Sequence, residues 1–215
     1  DKKDIPKDLS FIIISNITSS HEQTINEMIG LNCPLFIEKP VLSNLNNFKQ
    51  LSDKIYENSI QTYIACNLRF HPALQFIKHH LEVNHPRINE VNIYSGSYLP
   101  DWRPGKDFRT IYSANDEEGG GVHLDLIHEI DYCTWLFGFP IESINIKTNN
   151  SSLNISAVDN ARFFFKYPDF TAGIVLNYFR KDAKRQIEII TENETIVIDI
   201  IKNKVHSSTN NQNLF

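Results

Sequence analysis

Asp125, His128 and Tyr132 are the residues whose types and spacing first suggest chemistry. A helix predicted over 122–137 advances about 100° per residue, which gathers these three side chains in one sector and Leu126, Ile130 and Phe137 in another. An imidazole that titrates near neutrality, one turn from a carboxylate, can exchange a proton with a single bound substrate. The same pair also suits a solvated face that only stabilises the helix, and spacing alone leaves both readings open. Gly119, Gly120 and Gly121 stand directly ahead of this helix, where a missing side chain lets a backbone or a ligand approach and free N–H groups favour polar or anionic ligands. Read as HxDxxH, His123, Asp125 and His128 suggest a metal, but His123 points about 140° away from His128 on a helix, so no metal is expected.

Lys39 lies just past the apolar run Leu35–Ile37 and just before Pro40. If the run is a parallel strand, Lys39 is at its carboxyl end, where α/β proteins hold ligands. Pro40 restricts the lysine to extended backbone and permits a cis bond, and either aims the ammonium at a fixed point. A solvent-facing lysine in a tight turn is the plain alternative. Arg69 and His71 in NLRFHP sit beside another predicted strand end, and WRPGKDFR places Trp102, Arg103 and Arg109 in a long loop. Arginine binds anions with paired hydrogen bonds and tryptophan stacks on rings, so Trp102 and Arg103 are candidates for holding substrate, with ordinary surface roles as the alternative.

The elements that must position these residues read as α/β. Phe11–Ile14, Leu35–Ile37 and Thr62–Ala65 are short β-branched or apolar strands. Between them lie a helix opened by Ser20 with Gln23 and closed at Gly30, and a helix carrying Leu45, Phe48, Leu51 and Ile55 on one stripe. This βαβαβ order implies an incomplete Rossmann-type parallel sheet over residues 1–66. From residue 67 to 215 the chain reads as a second α/β domain. It has a helix from about His71 to Leu81, a strand near Val91–Tyr98, the 122–137 helix, and then the strands SINIKT, ARFFFKY, TAGIVLNYF, RQIEIIT and ETIVIDI of a large, mostly antiparallel open sheet. In ARFFFKY, Phe163 and Phe165 alternate with Arg162, Phe164 and Lys166, which predicts an uncovered apolar face and a homo-oligomer. The last residues, HSSTNNQNLF, read as a loose terminus.

Composition excludes several classes. Against 26 Asp and Glu, 21 Lys and Arg give a net charge of −5 with no basic cluster, so neither nucleic acid nor an anionic membrane is an expected partner. Three scattered cysteines without a CxxC pair fit a reducing, cytoplasmic setting. No apolar run approaches the ~20 residues of a membrane helix, and DKKDIPKDLS has no signal-peptide core. Met28 is the only methionine, so Asp1 reads as an interior residue of a longer protein.

Taken together and in order, IIIS, the turn ending in His21, FIEKP, NLRFHPAL and GGGVHLDLIHEIDYCTWLFG resemble the glucose-fructose oxidoreductase and inositol dehydrogenase (Gfo/Idh/MocA) family, from about Leu9 to Ile200. The resemblance implies a Rossmann domain for NAD or NADP and an open-sheet domain that walls the substrate site and often forms a dimer interface. It implies oxidation or reduction of a secondary alcohol in a sugar, amino sugar or cyclic polyol. Lys39 becomes the EKP lysine that holds the reacting oxygen, His128 the proton acceptor or donor, and Asp125 the carboxylate that binds a neighbouring hydroxyl. The turn with Ser15, Asn16 and His21 would pass beside the cofactor, and Glu38, Lys39, Pro40 and Arg69 complete its expected contacts. Hydride chemistry belongs to the nicotinamide, so the protein positions it and manages one proton.

Two departures stand out. Asp125 and His128 are three residues apart where the family spacing is four, although HxxD follows intact as His128 and Asp131. No glycine precedes Gly30, so the pyrophosphate-binding G-x-G-x-x-G is absent and weak binding of the dinucleotide is expected of this chain alone. SYLPDWRP before the glycines resembles a branch associated with bacterial surface amino sugars. The sequence therefore carries two hypotheses: part of an NAD(P)-dependent sugar dehydrogenase, and a non-catalytic remnant that assembles through its antiparallel sheet.

Overall fold

The computed structural model describes residues 8–209 and 212–215. The opening residues read for a signal peptide, and Asn210 and Asn211 of the terminal segment, lie largely outside that range. Three short parallel strands, β1 (Ile12–Ile14), β2 (Leu35–Ile37) and β3 (Thr62–Ile64), form one sheet in that order. The register aligns Ile14 with Ile37 and Ile37 with Ile64. Helices α1 (His21–Met28) and α2 (Phe48–Glu57) cross over between the strands, as parallel pairing requires. Ile14, Ile25, Ile29, Leu35, Ile37, Leu51 and Ile60 make its core. Ser20 occupies the cap position of α1 but makes no side-chain cap bond, because the chain enters α1 from a 3₁₀ turn instead of an extended residue. The exit is through Asn32 in the left-handed region, φ 51°, rather than at Gly30.

Helix α3 (Pro72–Asn84) leads into an eight-stranded sheet ordered β11-β10-β9-β8-β4-β7-β6-β5. Its members are β4 (Ile88–Tyr98), β5 (Glu142–Thr148), β6 (Asn160–Lys166), β7 (Thr171–Asn177), β8 (Phe179–Thr191), β9 (Thr195–Asp199), β10 (Lys204–Ser207) and β11 (Gln212–Asn213). All neighbours are antiparallel except β4 with β7. The fold is thus α/β, a small parallel sheet followed by a large, mostly antiparallel one.

Three expectations change. The 122–137 helix is two helices, α4 (Val122–Asp125) and α5 (His128–Phe137), broken where Leu126 leaves helical geometry at φ −101° and ψ 34°. The terminal segment is ordered where described: Leu214 and Phe215 donate backbone hydrogen bonds to the Val205 carbonyl, and Phe215 stacks on Phe76 at 5.4 Å. On β6, Phe165 is buried and Phe163 packs on the core, so that face is covered by the helices. The open face is the opposite one, where Phe164 pairs with Ile144 and Arg162 with Ile146 across β5 and β6. Ile144, Ile146 and Phe164 are 65%, 60% and 52% exposed there.

Candidate active site between the two sheets

The break between α4 and α5 leaves the Asp125 carbonyl without its helical donor, because the Glu129 N–H turns to Leu126 instead. Lys39 supplies the missing partner, its Nζ donating to the Asp125 carbonyl at 2.7 Å across 86 residues of chain. Lys39 reaches that point from the carboxyl end of β2, and its bond to Pro40 is cis. Burial lowers the Lys39 pKa, while the Asp125 and Glu38 carboxylates act against the shift.

Both carboxylate oxygens of Asp125 are occupied. Tyr112 donates to Oδ1 at 3.0 Å and Tyr178 to Oδ2 at 2.5 Å. Burial, followed by the charge of Asp125, raises both tyrosine pKa values and keeps the hydroxyls protonated. His128 is 8% exposed at the first turn of α5, with a buried Nδ1 that has no hydrogen-bond partner. Burial first, then Lys39 and Arg185, push its imidazole down to about 4, against the pull of Asp131. His128 is therefore neutral at pH 7, and one of its two ring nitrogens is an acceptor. Two ion pairs flank it: Arg69 with Asp131 at 3.0 and 2.6 Å, and Arg185 with the fully buried Glu129 at 2.6 and 3.1 Å.

A cleft of about 450 Å³ opens beside Lys39, lined by Ser15, Asn16, Ile17, Thr18, His21, Glu38, Lys39, Arg103 and Tyr112. It lies at the carboxyl ends of β1 and β2, the usual ligand position on a parallel sheet. The buried His21 ring clasps its rim, with Nδ1 2.9 Å from the Pro40 carbonyl and Nε2 3.0 Å from that of Asn16. Ser15, Asn16, His21, Glu38 and Lys39 thus come together as the sequence suggested, with Pro40 tied to the rim.

Other candidates do not join them. Tyr132, one turn after His128 on α5, is fully buried in the large core, so it offers no substrate surface. Arg69 spends its guanidinium fork on Asp131 and is not on the cleft. Trp102 donates from Nε1 to Ser97 and sets its ring edge-on to Tyr178 at 5.3 Å, which makes it support for that tyrosine. The glycine run serves the chain itself: a Cβ on Gly120 would lie 2.1 Å from the Tyr112 carbonyl oxygen. Tyr112, Tyr178, Glu129 and Arg185 carry no local sequence signal, since each gains meaning only from long-range pairing. Among the described residues no three His, Cys, Asp or Glu side chains converge as a metal would need.

The two depressed histidines link stability to pH. His123, like His128, is held down to about 4, mainly by burial, so both are neutral when folded and gain protons near pH 6.5 once unfolded. Their contribution is intact above pH 6.5 and is lost as pH falls toward 4, roughly 2 kcal/mol for each after solvent screening. Urea midpoints should fall steeply between pH 7 and 4.5, and less so for a His123→Asn, His128→Asn double variant. An equal fall in both proteins would refute the assignment.

The profile of the GFO/IDH/MocA C-terminal domain matches residues 83–197. The scyllo-inositol 2-dehydrogenase (NAD(+)) of Bacillus subtilis is 25% identical over 169 residues, covering 76% of this chain and 47% of the relative, so the chain spans about half of that protein's length. The WlbA dehydrogenase of Bordetella pertussis, solved with NADH and UDP-GlcNAcA, superposes with a TM-score of 0.79 at 16% identity, over 93% of this chain and 58% of that one. An inositol dehydrogenase homologue of Azotobacter vinelandii, solved with NAD+, gives 0.82 at 12% identity, over 95% and 55%. At those identities the two structures speak for the fold. With more than half of its length matched by the domain profile, the chain belongs to the Gfo/Idh/MocA family.

Proposed function

We propose that the chain carries the substrate-binding and proton-handling part of an NAD(P)-dependent oxidoreductase acting on a secondary alcohol of a sugar, amino sugar or cyclic polyol. On this reading residues 1–66 belong to the C-terminal part of a Rossmann-like NAD(P)-binding domain and residues 67–215 to the substrate and dimerisation domain. The observation that carries it is the meeting of Lys39, from the small sheet, with the Asp125 carbonyl three residues before His128, at the edge of a ligand-sized cleft. The residues lining the cleft suit the nicotinamide end of a dinucleotide, whereas no glycine precedes Gly30 to cradle its pyrophosphate. When bound, the nicotinamide supplies the hydride acceptor or donor. Lys39, with two N–H groups left after its bond to Asp125, holds the reacting oxygen. Neutral His128 takes the proton that leaves that oxygen, or returns it in the reverse direction. The names of the relatives favour NAD and polyol or nucleotide-sugar substrates, the latter suiting bacterial surface-sugar metabolism.

The open sheet face with Ile144, Ile146 and Phe164 suits pairing of two copies, so a homo-oligomer belongs to this reading. So does a reducing, cytoplasmic setting, with Cys33, Cys66 and Cys133 all unpaired. No helix among the described residues is long and apolar enough to cross a membrane.

Saturation-transfer NMR with NADH tests the cofactor assignment. The expected dissociation constant is ~1 mM or weaker, a range this method detects. Nicotinamide-ring protons should take up saturation more than adenine protons, and Lys39→Ala should remove the difference. Equal or adenine-dominated transfer would overturn the assignment.

A further inference from the structure

We propose that Tyr112 forms a hydroxyl-reading subsite beside Lys39, and that the substrate is a vicinal diol whose second hydroxyl donates its hydrogen to the Tyr112 oxygen. The proposal rests on the oxidoreductase reading above and adds the polarity of the substrate.

The argument begins with proton counting. A carboxylate only accepts hydrogen bonds, so the single Tyr112 hydroxyl hydrogen is committed to Asp125 Oδ1. What remains on the Tyr112 oxygen is acceptor capacity. An ammonium only donates, and Lys39 spends one N–H on the Asp125 carbonyl. A donor and an acceptor are therefore both anchored on Asp125, within the span of one residue, and both residues line the cleft. Asp125 itself is 8% exposed, is absent from the cleft wall, and has its other oxygen closed off by Tyr178. Contact with the neighbouring hydroxyl thus passes from Asp125 to Tyr112. A ligand satisfies the pair when the oxygen facing Lys39 accepts and the oxygen on the adjacent carbon donates. A ketone or ether at the adjacent carbon sets acceptor against acceptor and leaves a polar group unpaired.

Saturation-transfer NMR on the 215-residue chain, with trans-cyclohexane-1,2-diol and its dimethyl ether, which has no hydroxyl to donate, as probes, reads this polarity. In the wild type the diol should bind about fivefold better than the ether, the worth of one net hydrogen bond. In Tyr112→Phe, checked for folding by its methyl spectrum, the two probes should bind alike. The wild-type ratio stands by itself if the variant does not fold. A wild-type ratio near one, or a diol preference that survives in Tyr112→Phe, overturns the proposal. If either occurs while the nicotinamide ring of NADH still takes up saturation, only the subsite fails. If the nicotinamide signal is also missing, the oxidoreductase reading fails with it.

Discussion

With an intact dinucleotide-binding half fused ahead of Asp1, His128→Asn should lower turnover by about 10²-fold or more, the worth of a positioned acid or base. Lys39→Ala should also slow the reaction, because the reacting oxygen loses its cationic partner. The pH profile identifies the role. Residue type alone places the His128 titration near 6.5 to 7, but burial beside Lys39 and Arg185 brings it to about 4. The wild-type rate should therefore be level from about pH 6 upward and fall through about pH 4, where the imidazole is already protonated and cannot accept. His128→Asn should lack that acid limb. His123 is the control, since it too is held near 4 but has Lys147 and Asp116, not Lys39 and Arg185, as its first charged neighbours, so His123→Asn should keep the limb. If the His123 variant loses the acid limb and the His128 variant retains it, the assignment of His128 fails.

Gly120→Ala should be among the most damaging single substitutions in the chain. An added Cβ would meet the carbonyl oxygens of Tyr112, Asn115 and Ser113 at 2.1, 2.7 and 2.8 Å. All three are backbone atoms, so no side-chain rotation relieves the clash. Residues 112–120 must move, and with them the tyrosine that holds Asp125. A loss of about 4 kcal/mol or failure to fold is expected, at the upper end for a single residue. Gly30→Ala is the reference, because nothing lies within 4 Å of its added Cβ, and it should change stability by no more than about 0.5 kcal/mol. Urea denaturation of both variants checks the contrast, and a Gly120→Ala loss under about 1 kcal/mol would contradict the packing described.

The small sheet was legible because a short apolar strand is a local signal: Ile12–Ile14 and Leu35–Ile37 are apolar at every position and bounded by turn residues, although Ile13 is exposed in the fold. Lys39 was legible for the same reason, through its place at a strand end. The break at Leu126 was not. Leu126 and Ile127 continue the apolar period, and nothing nearby marks an end. The contacts that accompany it are long-range, since the Tyr112 and Tyr178 hydroxyls hold the Asp125 carboxylate from 13 and 53 residues away. Tyr132 keeps its place one turn after His128 on α5, but angular arithmetic gives a face and not its burial, and at Tyr132 that face is closed by the core. The terminal segment looked loose because its polar residues show no period, yet Leu214 and Phe215 are tied to Val205 by backbone bonds that composition cannot reveal.

The division of the site between two sheets of unequal size has a dynamic consequence. Among the described residues, the core of β1, β2 and β3 counts seven buried apolar side chains, and each strand has three residues. Sub-global opening of that sheet exposes little surface, so it costs less free energy than opening the eight-stranded half. Lys39 belongs to the soft unit, while Asp125, Tyr112, Tyr178 and His128 belong to the stiff one. Each transient opening therefore breaks the Lys39 link and withdraws the cation, but leaves the carboxylate, its two tyrosines and the imidazole assembled. The proposed site comes apart along a seam, and the balance between opening and reclosure of the smaller foldon sets how often all of its members are present at once.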